Sequence, residues 1–150
     1  MAVPKSVVKI KKDGVEYVSN CDRIQYTLTE LIRAALRDTG KLICRKTKDN
    51  IRASNINQIT GRSIKAVQYW VKWKQKVPML QVGIKAFGFY IGFFETGTSE
   101  YRKYAFLQNA VKNSVAEIVK IQSQYLSALE DEAKAMSLID ESETQGSDDT

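Results

Sequence analysis

Between Ser19 and Arg52 apolar residues return every three or four positions, a spacing that only a long amphipathic helix satisfies. Ile24, Leu28, Leu31, Ile32, Ala35 and Leu36 fall on one stripe that is expected to be buried, and Leu42, Ile43 and Ile51 continue it. Ser19 and Asn20 are candidate N-caps, with Asp22 placed to complement the dipole of the first turn. Gly40 costs a helix interior about 1 kcal/mol relative to alanine. The continuing stripe still predicts one long helix to about Arg52, with a kink allowed at the glycine.

The elements around it read as strands. Val7–Lys11 and Val15–Val18 flank Lys12-Asp13-Gly14, and Asp-Gly is a strong hairpin-turn signal, so a small hairpin is predicted over residues 7–18. Ala53–Arg62 reads as a loop. From Lys65 to Trp73 the chain alternates. Val67, Tyr69, Val71 and Trp73 share one face, with Ala66, Gln68, Trp70 and Lys72 on the other. After a turn ending at Pro78, Leu80, Val82 and Ile84 oppose Met79, Gln81, Gly83 and Lys85 in a second strand. A third strand is expected over Tyr90–Thr96. The predicted fold is α+β, an antiparallel β-meander packed against two long α-helices, with an N-terminal β-hairpin.

The second long helix is expected from Ala105 to about Met136, with Leu107, Val111, Val115, Ile118, Ile121, Tyr125, Leu129 and Ala133 as its apolar stripe. At about 1.5 Å per residue it would run roughly 45 Å, more than a small sheet needs. Its far half is expected to meet something else. Residues 1–136 are thus expected to form one domain, followed by an acidic, disordered tail over 137–150.

Composition narrows the chemistry. The chain has 150 residues and no histidine, which removes the commonest general base and the commonest metal ligand. Neither a catalytic set nor a cofactor or metal site is predicted. Cys21 and Cys44 lack metal or redox spacing and read as two reduced thiols. No apolar run approaches the roughly 20 residues of a membrane span, and the start lacks a secretion signal, so the chain reads as cytosolic. The net charge is +6, yet five carboxylates lie beyond Ser137, so the body is more basic than that figure suggests. Such a surface suits phosphate backbones, acidic protein surfaces, or simple solvation.

Neither a Walker loop, a GxGxxG, nor a paired CxxC occurs. Gly88 and Gly92 read as packing or turn glycines rather than a ligand loop. Trp70, Trp73, Phe87, Phe89, Phe93 and Phe94 crowd the strand region on both faces, and one helix layer covers only one face. Trp70, Trp73, Phe93 and Phe94 are therefore candidate subunit or partner contacts. The clearest local motif is Tyr90–Ser99 followed by Tyr104–Ala110. Glu95 invites a catalytic reading, but without a partner base it reads better as a structural acceptor for the Thr96–Ser99 loop.

These residues resemble a known pattern. Glu95-Thr96-Gly97-Thr98-Ser99 and Phe106-Leu107 are similar to the Glu-aromatic-Gly-Thr-Ser and Pro-Phe-Leu elements of the phage tail-completion family, with Thr96 at the aromatic position and Ala105 at the proline. Thr60-Gly61-Arg62-Ser63-Ile64 resembles a shortened form of its Thr-Gly-x-Leu-x-Ser-Ile. The resemblance spans roughly residues 20–130. It implies a tail terminator of a long-tailed bacteriophage, a structural virion protein found in the tail or neck and assembled in the host cytoplasm. Such subunits form a ring, typically a hexamer, that caps the tail tube and joins it to the neck or head-completion protein. DNA passes through the channel without sequence-specific binding. The implied structural motif comprises Glu95, Gly97, Thr98, Phe106 and Leu107. Two other readings stand beside it: a small basic nucleic-acid-binding module that uses the lysine hairpin (Lys9, Lys11 and Lys12) with Trp70 and Trp73 as a stacking surface, and a carboxylate-dependent enzyme at Glu95.

Overall fold

The computed structural model describes residues 8–12, 15–19, 21–54, 61–72, 78–131, 134–135 and 137–139, with side chains from Ile24 onward. Strands β1 (Val8–Lys12) and β2 (Val15–Ser19) pair antiparallel, Val8 opposite Ser19 and Lys12 opposite Val15. Helix α1 runs over Cys21–Ala53, followed by the short α2 (Arg62–Ala66), β3 (Val67–Lys72) and β4 (Met79–Ile84). A 3-10 turn at Ala86–Gly88 leads to α3 (Tyr90–Thr96), α4 (Phe106–Asn113) and α5 (Val115–Ser127), with a second 3-10 turn at Ala128–Glu130.

Two compact units are present. One comprises residues 1–34 and 125–150, the other 35–124. In the first, Leu31, Ala34, Tyr125, Ala128, Ala135, Leu138 and Ile139 are buried. Residues 137–139 are helical, so Leu138 and Ile139 are packed where the acidic tail was expected to begin; residues 140–150 lie outside the described ones.

The second unit holds the main core, made by Cys44, Ile51, Ala66, Val67, Ile91 and Phe106. Ile64, Tyr69, Val82, Ile84, Tyr90 and Phe94 pack against it. Cys44 is a free, buried thiol. The β3–β4 ribbon pairs Val67 with Ile84, Tyr69 with Val82 and Val71 with Leu80, which puts the predicted apolar face inward. Gly40 has a specific reason to be glycine. A Cβ there would meet the Tyr69 ring at 2.6 Å and Leu80 at 3.0 Å, so the helix gives up propensity to let the ribbon approach its backbone.

The α+β expectation is corrected. Among the described residues the chain is mostly helical, with the long helix α1 on its N-terminal side, and its strands pair only two by two, β1 with β2 and β3 with β4. No three-stranded meander exists among the described residues: β3 and β4 form a two-stranded ribbon, and Tyr90–Thr96 is helix α3 instead of a third strand. The cause is legible in the burial. Ile91 is buried and Tyr90 and Phe94 pack on the core, while Phe89 and Phe93 face outward; that is a three-to-four spacing, not alternation.

The second long helix is also corrected. It breaks at Ser114, whose N–H bonds the Val111 carbonyl three residues back, at 3.1 Å. That tight turn shifts the helical phase. Before the break Phe106 and Ala110 are buried, one position ahead of the expected Leu107 and Val111. After it Ile118 and Ile121 are half-buried and Tyr125 buried, whereas Val111, Val115 and Leu129 are exposed.

Candidate functional site

The motif residues meet where α3 ends and α4 begins. Helix α4 starts after Ala105, whose backbone is left-handed with φ 52°, and alanine offers no side chain to hold the first free N–H groups. Glu95 supplies that function from α3. Its Oε2 accepts the Leu107 N–H at 3.0 Å and its Oε1 accepts the Gln108 N–H at 2.9 Å. A carboxylate at a helix N-terminus also complements the positive end of the helix dipole. Both oxygens are thereby engaged with backbone donors.

Backbone contacts close the clasp. The Phe94 carbonyl, near the end of α3, accepts the N–H of Tyr104 at 2.7 Å and of Ala105 at 3.3 Å. From α1, the Asn50 side-chain amide donates to the Phe106 carbonyl at 3.0 Å. The intervening loop is set by Gly97 and Thr98. Gly97 has φ 80° and lies against Lys103, so a side chain there would be strained. The Thr98 hydroxyl accepts the Tyr101 N–H at 3.1 Å, and the Thr98 N–H donates to the Tyr101 carbonyl at 3.0 Å. Around this frame Phe94 makes edge contacts with Tyr101 and Tyr104, and Tyr104 stacks on Phe106.

The structure therefore brings together Glu95, Gly97, Thr98, Phe106 and Leu107. It also revises the expected role of Glu95, whose partners lie on α4 rather than in the Thr96–Ser99 loop. At Ala105 the φ of 52° is closed to proline, so this entry into α4 excludes proline at that position.

The candidate contact residues divide. Trp70 is 40% exposed and Phe93 45%. Phe94 is half-buried and packs on the core, and Trp73 lies outside the described residues. Phe89 is 68% exposed and meets Phe93 edge-on at 6.2 Å. Their spacing of four was the available signal for one exposed helical face, hidden by the strand reading. Three valines are exposed as well, Val111 on α4 and Val115 and Val119 one turn apart on α5.

Among the described residues there is no group of three His, Cys, Asp or Glu placed to hold a metal ion. Among them, too, no helix is long and apolar enough to cross a membrane. Compared with protein-family models, with curated proteins and with solved structures, the chain gives no match.

Proposed function

We propose that the chain is a structural assembly subunit, a tail-completion (tail-terminator) protein that closes into a ring at the head-proximal end of a phage tail tube and joins it to the neck. The observation that carries this reading is the Glu95 clasp. It makes one piece of structure from two of the three separated motif elements on which the resemblance rests, Glu95–Ser99 and Phe106–Leu107. The meander is no longer among its grounds.

Surface chemistry supports the same reading. A ring needs heterologous contacts, in which one patch of a subunit meets a different patch of the next. The 35–124 unit exposes the Phe89–Phe93 pair near α3 and, on α4 and α5, Val111, Val115 and Val119. Aromatic anchors set against aliphatic side chains are suitable material for such a joint. The work assigned to the protein is closure and docking, for which no bond need be made or broken.

The interface is tested by the Phe89→Ala/Phe93→Ala double variant. Phe89 is mostly solvated and Phe93 nearly half so within the subunit, so its melting temperature should fall only modestly. Self-association, followed by mass against concentration, should weaken by about 2 kcal/mol or more, roughly a thirtyfold shift in midpoint. A double variant that assembles at the wild-type concentration would remove Phe89 and Phe93 from the joint.

A further inference from the structure

Between Asp49 and Glu95 the sequence contains seven Lys or Arg residues and no Asp or Glu. The β3–β4 ribbon lies wholly within this stretch. Its inward face is occupied by the core and by the approach to Gly40. The opposite face pairs Gln68 with Gly83, Trp70 with Gln81 and Lys72 with Met79. Just past β4 the Lys85 N–H bonds the carbonyl of Ala66, the last residue of α2, at 2.8 Å, and the half-buried Lys85 continues the parity of Met79, Gln81 and Gly83.

Trp70 is not standing clear of this face. A Cβ on Gly83 would lie 3.4 Å from the indole Cζ3, so the ring leans along the ribbon over the one position without a side chain. The result is a partly solvated aromatic plane with lysines towards both ends of the face and glutamines beside it. From Lys72 to the level of Lys85 the ribbon extends roughly 20 Å, room for a run of several nucleotides.

We propose that this outward face binds single-stranded nucleic acid, with a base stacking on Trp70 and flanking phosphates neutralised by Lys72 and Lys85. A local surplus of positive charge selects an anionic partner. The aromatic plane selects one whose bases are free to stack, which a duplex does not offer. An acidic peptide would satisfy the lysines and leave the indole without a planar partner. This site shares no residue with the Phe89–Phe93 joint, and the two readings are tested by different variants.

The test is a titration of a labelled oligo-dT strand with the full chain, by fluorescence anisotropy across a salt series. Two lysine–phosphate contacts predict a slope contribution of about −1.4 in log affinity against log salt. Trp70→Ala should weaken binding about fivefold or more, the range of one base stack. Lys72→Ala/Lys85→Ala should flatten the salt dependence by about 1.4 and leave the melting temperature unchanged; should Trp70→Ala fail to fold, this double variant still decides. Oligomer mass should be unaltered in both. Unchanged oligo-dT affinity in the lysine variant would overturn the proposal. So would equal Trp70-independent binding of polyglutamate, or loss of self-association in a folded Trp70→Ala protein.

Discussion

Replacing Gly88 by alanine should destabilise the protein by about 1–3 kcal/mol, the usual cost of forcing an extra methyl into a filled core. Gly88 is buried, and a Cβ there would overlap the Cβ of Ala66 and press on Ile84 at 3.2 Å and Ile91 at 3.4 Å. Ala66 is itself fully buried at the end of α2, and a Cβ is fixed to the backbone, so no rotamer change relieves the overlap. Gly92, only four residues on, should behave in the opposite way. It sits within α3 with open space where its side chain would be. Gly92→Ala should therefore be neutral or stabilising by up to about 1 kcal/mol, through helix propensity alone. Thermal unfolding of the two single variants measures both. A Gly88→Ala protein as stable as the parent would contradict the packing of the 3-10 turn on α2.

Removing the Glu95 clasp should be the other large loss. Glu95→Ala withdraws the acceptors from two N–H groups at the start of α4 and leaves Ala105 unable to replace them. Losing a helix cap costs about 0.5–2 kcal/mol, and the dipole interaction of a charged cap adds up to about 1 kcal/mol. Glu95→Gln keeps one carbonyl acceptor and should fall between the parent and Glu95→Ala. The order in melting temperature is expected to be Glu, then Gln, then Ala, with the gap between Glu and Gln narrowing as salt is raised. Equal stability of all three would show that α4 does not depend on the clasp. A catalytic turnover lost in a fully stable Glu95→Gln protein would instead favour the enzyme reading.

Helix α1 was legible because its spacing persists for some thirty residues, long enough to outvote Gly40. Its buried face was not: Leu31, Ala34, Ile43 and Ile51 are buried, whereas Ile24, Leu28 and Ile32 of the expected stripe are exposed. The role of that glycine was not, since the reason lies in Tyr69 and Leu80, distant in sequence. The faces of β3 and β4 were legible through alternation within Val67–Lys72 and Met79–Ile84, but Ala66, assigned to the outward face, ends α2 and is buried in the core. Tyr90–Thr96 defeated the same logic. Its run of apolar residues fits either period, and the choice was made by where Ile91, Tyr90 and Phe94 could reach the core. The phase break at Ser114 left only a weak local trace, an Asn-Ser pair of poor helix formers. Glu95 and its motif partners stood out as residues, but their bonding did not. Its acceptors meet amides twelve and thirteen positions away, a distance that local turn chemistry does not anticipate.

The most direct test of the assembly reading is the mass of the purified protein in solution, measured across concentration with and without tail-tube protein. A ring-forming tail terminator should give a closed species of defined stoichiometry, alone or on the tube end, and should halt tube growth. Because the joint is apolar, that species should persist at physiological salt, where exposed charges are screened. A protein that stays monomeric at every concentration, and leaves tube growth unaffected when mixed with tail-tube protein, would contradict the account.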